Sequence, residues 1–170
     1  RQTYNCMSTR IARASKVILT TSCKRSRSNT FACGIIIDRS TSLINCGITS
    51  LTSSGIFAIF IAKMSSSGSW QWAGKAGGSI SDSGNGIAVD SSGTAYVTGF
   101  FGPQTATFGS TSLTSSGSTD IFIAKLSSSG SWQWAVKAGS SSTISSYGIA
   151  VESSGNAYAC LLYTSDAADE

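Results

Sequence analysis

The residues of this chain that could take part in chemistry lie mostly in short serine-rich turns. Asp90-Ser-Ser-Gly93 and Glu152-Ser-Ser-Gly155 each begin with one acid, which would be a candidate calcium ligand. A calcium loop needs several carboxylate or amide oxygens within a short span, and each of these turns has only one acid. We therefore interpret both acids as turn residues whose carboxylates accept backbone N–H bonds.

The serine triplets at 65–67 and 127–129 are candidate nucleophiles. The chain has no histidine, which excludes Ser-His-Asp and Cys-His catalysis as well as histidine-based zinc sites. A lysine-activated serine remains, with Lys63 and Lys125 two residues before the triplets. Because each triplet recurs together with its surroundings, we interpret it as a structural turn. We expect a protein that is not an enzyme and has no metal or cofactor.

The charge of the chain is distributed unevenly. Eight of the twelve Lys and Arg residues lie in 1–39, whereas 47–159 contains four lysines and four acids. A neutral body lacks the basic surface that binds nucleic acid, and no apolar run approaches the roughly 18 residues that span a bilayer. Five irregularly spaced cysteines without a CxxC pair are weak evidence for a disulfide framework. We predict neither nucleic-acid binding nor membrane insertion.

An internal repeat is the strongest feature of the sequence. Thr49–Tyr96 matches Thr111–Tyr158 without a gap, with 35 identities in 48 positions, at a spacing of 62 residues. Self-similarity at a fixed period is the signature of a repeat architecture. A third, weaker copy is obtained when Gly34–Gly47 is aligned with Gly86–Gly99, which share five residues.

The repeated unit has the periodicity of β-strands. Gly86–Asp90 and Ala95–Gly99 flank a Ser-Ser-Gly turn, which predicts a β-hairpin. A second predicted hairpin joins Ile121–Leu126 to Ser131–Val136 through Ser-Ser-Ser-Gly. Four short antiparallel strands per unit, without a helical period, predict an all-β fold.

Apolar residues on both faces of these strands predict that the units stack. Alternation places Trp132 and Trp134 on one face of their strand. The preceding strand carries Ile121 and Ile123 on one face and Phe122 on the other. A sheet that is apolar on both faces must be covered on both, as the blades of a propeller are. The residues predicted to pack between units are Trp70, Trp72, Trp132, Trp134, Ile121, Ile123 and Phe122.

The segment Phe100–Thr119 makes the unit longer than the roughly 40–45 residues of a compact blade, and it contains the only proline. Insertions in repeat proteins form loops on one face, which is often the binding face. One interpretation is a binding loop formed by Phe101, Pro103, Gln104, Thr105 and Phe108. The alternative is an extra short hairpin, formed by 106–108 and 112–114, at the outer edge of the blade.

Several phrases of the repeat resemble a known family. Gly-Ile-Ala-Val-Asp-Ser-Ser-Gly-Thr-Ala-Tyr-Val-Thr-Gly, at 86–99, and Ile-Phe-Ile-Ala-Lys-Leu-Ser-Ser-Ser-Gly-Ser-Trp-Gln-Trp-Ala, at 121–135, resemble the SBBP family of bacterial β-propeller repeats. The resemblance is close over 49–159 and weak over 34–48. It implies a partial β-propeller in a secreted or cell-surface bacterial protein, and it implies no catalytic residues.

The repeat predicts about two blades plus a hairpin. Residues 34–85 form a degenerate, shortened blade, 86–147 a complete blade and 148–159 the first hairpin of the next. The basic segment 1–33 matches neither unit, and three interpretations stay open: a frameshifted or decayed copy, a disordered segment, or a real basic arm. Residues 160–170 resemble a translated sequencing adapter and are interpreted as a non-native tail. Because propellers close with about four to eight blades, we expect missing blades of the same chain to complete the ring.

The resulting functional hypothesis is a non-enzymatic scaffold for protein or glycan interaction, located outside a bacterial cell or on its surface. Two alternatives remain open. The chain is a fragment of a propeller enzyme, glycan-active or cofactor-dependent, whose catalytic residues lie in missing blades. Otherwise the repeats form a structural spacer array.

Overall fold

The computed structural model describes residues 22–25, 29–37, 43–46, 49–52, 56–65 and 67–163. Every regular element in these ranges is a β-strand, which confirms the predicted all-β class. In chain order the strands are β1 (Ser22–Arg25), β2 (Asn29–Ile37), β3 (Leu43–Cys46), β4 (Thr49–Thr52), β5 (Phe57–Ser65), β6 (Trp70–Ala76), β7 (Asp82–Val89), β8 (Ala95–Phe101), β9 (Thr105–Phe108), β10 (Thr111–Thr114), β11 (Asp120–Leu126), β12 (Trp132–Ala138), β13 (Ile144–Val151) and β14 (Ala157–Tyr163).

Two four-stranded antiparallel sheets form the body of the fold. The first sheet has the order β1-β2-β5-β6, and the second has the order β7-β8-β11-β12. Each sheet contains one inserted hairpin between its second and third strands, β3–β4 in the first and β9–β10 in the second. A terminal hairpin, β13–β14, follows the second sheet. Within residues 67–163, short turns connect the strands of each hairpin, because antiparallel neighbours need no crossover.

Each four-residue serine turn has a specific backbone geometry. In the turn between β11 and β12, the Ser127 amide donates to the Ser131 carbonyl at 2.9 Å, and the Gly130 amide donates to the Ser127 carbonyl at 3.0 Å. Gly130 has a φ of 89°, a conformation that is strained for residues with a Cβ. The repeated glycine therefore allows the chain to reverse between the two strands.

The main hydrophobic core lies between the first and second sheets. β5 contributes Ile59 and Ile61, β11 contributes Phe122 and Leu126, and the inserted hairpin of the second sheet contributes Phe108. Full burial of such a side chain contributes about 1.5–3 kcal/mol. Packing between the two sheets is consequently the main source of stability in the described part of the chain.

The terminal hairpin covers the other face of the second sheet. β7 contacts β1, β2 and β5 on one side and β13 on the other. The Tyr96 hydroxyl donates to the Gly155 carbonyl at 3.1 Å, and the Asn85 side-chain amide donates to the Ser146 carbonyl at 2.9 Å. The second sheet is therefore enclosed between two neighbours, as the stacking prediction requires.

The predicted alignment of the first copy is wrong. Gly34 lies opposite Phe60 in the first sheet, as Gly99 lies opposite Phe122 in the second. Gly34 therefore corresponds to Gly99 in a second strand, and not to Gly86 in a first strand. Glycines spaced 13 residues apart occur in both segments, at Gly34 and Gly47 and at Gly86 and Gly99, and this coincidence favours an alignment that is shifted by one strand.

The first unit is also more complete than the sequence predicted. The pair β3–β4 occupies the same place in the first sheet as β9–β10 does in the second, so the unit is not shortened. The sheet begins at Ser22, and the predicted boundary at residue 34 falls inside β2. Of the predicted segment 1–33, the structure describes 22–25 and 29–33, and the other residues lie outside the described part of the chain.

At the other end, the terminal hairpin extends past its predicted limit of 159. β14 continues through Cys160 to Tyr163, and Leu161 pairs with Ser146 across the hairpin. Cys160–Tyr163, assigned to a non-native tail on the sequence, thus continue a strand of the fold. The residues 164–170 of that predicted tail lie outside the described residues.

Candidate functional site

The two tryptophans of the second repeat lie on opposite faces of their sheet, so the predicted shared face is wrong. Trp132 pairs with Leu126, whereas Trp134 pairs with the adjacent residue Lys125. Adjacent residues of a strand point to opposite faces. The cause is a β-bulge between these two pairs: β12 has one more residue here than β11. The extra residue interrupts the regular alternation of side chains along β12.

The first sheet has the same bulge. Trp70 pairs with Met64, and Trp72 pairs with Lys63. Trp72 therefore shares a face with Lys63 and packs against the main core, directed toward the second sheet. Trp70 lies on the opposite face, directed away from the second sheet.

Trp72 and Lys63 together bind a turn of the second sheet, and we call them the turn-binding pair. Trp72 Nε1 donates to the Ser128 carbonyl oxygen at 3.0 Å, and Lys63 Nζ donates to the same oxygen at 3.2 Å. A Cβ at Gly130 would lie 2.6 Å from Cδ2 of Trp72, so the indole lies directly on the glycine. The pair holds the Ser127–Ser131 turn against the first sheet.

The remaining three tryptophans differ in how much of the ring is covered. Trp132 is half-buried and packs edge-on against Phe108, with ring centroids 5.5 Å apart. Trp70 and Trp134 each have 37% of their surface exposed. These two lie on the faces directed away from the interface between the first and second sheets. Coverage of the indole thus depends on whether a neighbouring sheet packs on it.

The three apolar residues predicted to pack beside the tryptophans lie on both faces of β11. Phe122 is fully buried against the first sheet. Ile121 and Ile123 point to the other face, toward the terminal hairpin; Ile121 is buried and Ile123 is half-buried. Both faces of this strand are therefore in contact with protein.

The segment 100–119 forms a hairpin and not an open loop. Phe101 and Phe108 are 0% and 1% exposed, so including them in a binding loop was wrong. Both rings belong to the main core: Phe101 is the last residue of β8, and Phe108 lies in the inserted hairpin, which folds inward between the two sheets. Gly77 and Thr107 exchange two backbone hydrogen bonds of 3.1 Å, which join the inserted hairpin to the chain that leaves the first sheet.

The other three residues of the predicted binding loop lie at the surface. Pro103 and Thr105 are exposed, and Gln104 is half-buried. Gln104 Oε1 accepts hydrogen bonds from the Ser79 amide at 2.8 Å and from the Ser79 hydroxyl at 2.6 Å. The loop is thereby fixed to the connector between the sheets, and only Pro103 and Thr105 present open surface.

Hydroxyl groups of the serine triplets bond to their own turns. Ser65 Oγ lies 2.7 Å from Ser67 Oγ, and Ser127 Oγ lies 2.8 Å from Ser129 Oγ. The Ser127 hydroxyl also accepts from the Ser131 amide at 3.1 Å. Since Lys63 Nζ is bonded to the Ser128 carbonyl, these contacts fit a structural turn better than an activated nucleophile.

The acid of the first repeated turn is bonded as the sequence predicted. Asp90 Oδ1 accepts from the backbone amides of Ser92 and Thr94, each at 2.9 Å, and from the Ser92 hydroxyl at 2.6 Å. Desolvation is the largest single influence and raises the Asp90 pKa, but these hydrogen bonds together outweigh it and lower the pKa. The carboxylate is therefore a turn-stabilising group.

Glu152 stabilises the corresponding turn of the terminal hairpin with different partners. Its carboxylate accepts from the Ser154 hydroxyl and the Asn156 side-chain amide, and the Tyr158 hydroxyl lies 3.3 Å away. The bond from Ser154, followed by that from Asn156, lowers the Glu152 pKa. The longer side chain thus reaches side-chain donors in place of the backbone amides bonded by Asp90.

Two buried acids were missed by sequence reasoning. Asp82 is 1% exposed and its Oδ2 accepts from the Gly78 amide at 2.6 Å; burial raises its pKa, an effect reduced by the amides of Gly78 and Gly102. Asp120 is 0% exposed and forms an ion pair of 3.0 Å with Lys137. The sequence contains a signal for their burial, because each acid aligns with an apolar residue in the other copy. Asp82 aligns with Ile144, and Asp120 aligns with Ala58.

Both acids lie at the end of the second sheet where Phe101 pairs with each of them. The Ser116 amide donates to Asp120 Oδ2 at 2.8 Å, so this acid also fixes the loop before β11.

The described residues contain no group of three or more His, Cys, Asp or Glu side chains placed to hold a metal ion. No helix in this part of the chain is long and apolar enough to cross a membrane.

Comparison with known proteins agrees with the geometry. Residues 71–99 match the SBBP family model, whose description is a β-propeller repeat. A comparison with curated proteins found no match. The matched segment runs from β6 through β8 and so crosses from the first sheet into the second. The chain carries an SBBP-type β-propeller repeat, and its stacked antiparallel sheets form part of a propeller.

Proposed function

We propose that this protein is a non-enzymatic β-propeller scaffold, secreted or exposed on a bacterial cell surface, that presents loops to a protein or glycan partner. The observation that carries the proposal is that the residues shared by the repeats have structural roles. Apolar side chains of the repeat pack between sheets, and the acids and serines of the repeated turns bond within those turns. The repeat therefore builds a framework, while its exposed loops are left to vary.

The surface best suited to a partner is formed by Pro103 and Thr105. Both are exposed, and they flank Gln104, whose side chain is bonded to Ser79. The Ser115 amide also donates to the Gln104 carbonyl at 3.0 Å, which fixes the loop from its other side. A loop held in one conformation loses less entropy on binding, and this pre-organisation favours affinity.

A binding screen tests the proposal. The purified chain is applied to a glycan array and to a panel of extracellular proteins, and hits are titrated with the double variant Pro103→Ser/Thr105→Lys. We expect the variant to weaken binding at least tenfold, whereas the control Ser153→Lys, at an exposed turn of the terminal hairpin, leaves it unchanged. Lack of saturable binding, equal effects of both variants or turnover of a bound glycan would contradict the proposal.

Location is tested separately. An epitope-tagged full-length protein is expressed in its bacterial host, and intact cells are treated with a protease that does not enter them. We expect the tag to be removed from intact cells or found in the medium. A tag that is protected until the cells are lysed would place the scaffold inside the cell.

A further inference from the structure

The two buried acids of the second sheet lie at the base of its inserted hairpin β9–β10, one on each side. Asp82 in β7 and Asp120 in β11 both pair with Phe101, the last residue of β8. The chain leaves the sheet after Phe101 to form the hairpin and returns to it at Asp120, the first residue of β11. The two acids therefore flank the point at which the hairpin departs from the sheet.

Asp82 fastens the loop that enters the hairpin to residues 77–81, the connector between the first and second sheets. Its Oδ2 accepts from the Gly78 amide of this connector at 2.6 Å. Burial raises the Asp82 pKa, and the Gly102 backbone and the Gln104 side chain beside the carboxylate act against this shift. Gly102 and Gln104 belong to the entering loop, so one carboxylate contacts both the connector and that loop.

Asp120 fastens the loop that leaves the hairpin. Its Oδ2 accepts from the Ser116 amide of this loop at 2.8 Å and forms an ion pair with Lys137 Nζ at 3.0 Å. The carboxylate also lies directly against Gly139, where an added Cβ would overlap it. Gly139 begins the connector that follows β12. Asp120 thus joins the leaving loop to the second connector, as Asp82 joins the entering loop to the first.

Two further bonds close the hairpin between these acids. The Ser115 amide donates to the Gln104 carbonyl at 3.0 Å, and the hydroxyl oxygens of Thr105 and Thr114 lie 3.0 Å apart. Both bonds link the entering side of the hairpin to its leaving side. Pro103 and Thr105, the exposed residues on either side of Gln104, are therefore held within a base that is closed and fixed at both ends.

Neither acid is shared by the two copies of the repeat. Asp82 aligns with Ile144 and Asp120 aligns with Ala58. Ile144 begins β13 and Ala58 lies in β5, so strands of the same type form with an apolar residue at each position. Removal of a carboxylate from water carries a free-energy cost that an apolar residue does not have. The stability of the sheet therefore does not explain the two acids, whereas a local positioning role does.

We propose that Asp82 and Asp120 are positioning residues that hold the inserted hairpin β9–β10 in one conformation from both of its ends. The hairpin then presents Pro103 and Thr105 in a fixed orientation, which reduces the entropy that is lost when a partner binds. This use of the rigid hairpin rests on the partner-binding role proposed above, whereas the rigidity itself does not.

Removal of each carboxylate tests the proposal. The variants Asp82→Ala and Asp120→Ala are made in the whole chain, and hydrogen exchange of the backbone amides is measured on each. We expect the amides of residues 104–114 to exchange at least about tenfold faster than in the parent, because buried hydrogen bonds that hold both loops are lost. The amides of β8 should change far less. Unchanged exchange in the hairpin, equal acceleration in the hairpin and in β8, or global unfolding of the variants would overturn the proposal.

Two kinds of variant serve as controls. Asp90→Ala removes an acid from the opposite end of the same sheet, where the carboxylate bonds to its own turn, and we expect hairpin exchange to stay at the parent rate. Asp82→Asn and Asp120→Asn keep a side-chain oxygen that can accept the same amide, so hairpin exchange should stay within about threefold of the parent. Faster exchange in Asp90→Ala, or equal rates in the asparagine and alanine variants, would contradict the positioning role.

A binding measurement connects the positioning residues to the scaffold role. A protein or glycan found in the binding screen is titrated with the two alanine variants, in which Pro103 and Thr105 are intact. We expect binding about tenfold weaker than to the parent, because the partner must now order a mobile hairpin. Binding at the parent affinity, despite faster hairpin exchange, would overturn the use of this rigidity in recognition. If the screen finds no saturable binding, the scaffold role fails, and the exchange rates alone decide whether the acids hold the hairpin.

Discussion

The two faces of the second sheet present the same repeat residues to different neighbours. On one face the complete first sheet packs, and its Trp72 is bonded to Ser128. On the other face only the terminal hairpin packs, and Trp134, the equivalent of Trp72, is 37% exposed. Identical local sequence therefore gives different burial, because burial is decided by the neighbouring unit and not by the strand that carries the residue.

The glycines of the serine turns show the same difference at a single atom. Gly68 and Gly130 have φ values of 86° and 89°, so their backbone requirements are equal. A Cβ at Gly130 would meet Trp72, whereas a Cβ at Gly68 would meet nothing within 4 Å. The repeat thus contains internal controls, in which one copy makes the contact between units and the other does not.

The largest predicted effect compares Ile61→Ala with Ile123→Ala. Ile61 is 0% exposed in the main core, whereas its repeat equivalent Ile123 is half-buried against the terminal hairpin. We expect Ile61→Ala to lower the free energy of unfolding by about 2–5 kcal/mol, and Ile123→Ala by less than half as much. Urea denaturation measures both values; equal losses would show that the two interfaces are equally packed.

The next effect isolates the contact between the turn and the indole. Gly68→Ala and Gly130→Ala each introduce backbone strain of about 1–2 kcal/mol, because both glycines have a positive φ. Gly130→Ala also forces the Trp72 ring to move, which adds about 1–3 kcal/mol of overpacking. The difference between their urea midpoints, at unchanged m-value, reports this contact. If the two midpoints coincide, Trp72 does not hold the turn.

A smaller effect is expected at the hydroxyl that reaches the terminal hairpin. Tyr96 is 1% exposed and donates to the Gly155 carbonyl, whereas its equivalent Tyr158 is 61% exposed. We expect Tyr96→Phe to cost about 0.5–1.5 kcal/mol and Tyr158→Phe almost nothing. Amide exchange of the terminal hairpin should accelerate only in Tyr96→Phe. Acceleration in both variants would argue that the hairpin is held mainly by its own turn.

The smallest effect concerns pH and the connector between the sheets. The Asp82 pKa is raised by burial, so the stability associated with this group is present at low pH and is lost as the pH rises through the raised pKa. We therefore expect Asp82→Asn to become more stable relative to the parent as the pH increases. Urea denaturation at several values between roughly pH 4 and 8, the range in which a carboxyl group with a raised pKa titrates, measures the trend. A difference that does not vary with pH would contradict it.

Asp90 provides the control for that measurement, since its pKa is shifted in the opposite direction. Its pKa is lowered, so the stability it contributes is present above the unfolded pKa and is lost as the pH falls through the folded pKa. Asp90→Asn should therefore lose stability relative to the parent at neutral pH and approach it in acid. The same trend in both variants would indicate a general effect of charge.

Much of the fold could be predicted from the sequence because it depends on local patterns. The recurring Ser-Ser-Ser-Gly and Ser-Ser-Gly turns and the apolar strands beside them specify hairpins, and the match of 71–99 to the SBBP model agrees with the predicted family. The inserted hairpin was one of two alternatives for 100–119, since no local signal showed that Phe101 and Phe108 point inward. The burial of Asp82 and Asp120 could not be predicted from the repeated pattern, because neither acid is present in both copies.

The sequence by itself determined the strand composition, the repeat and the need for every sheet to be covered on both faces. These follow from short-range propensities and from the cost of exposing apolar surface. Only the tertiary structure decided that a bulge turns Trp132 and Trp134 to opposite faces, and which tryptophans have a neighbour. A bulge shifts the register by a single residue, and a period-two pattern cannot reveal where that residue lies.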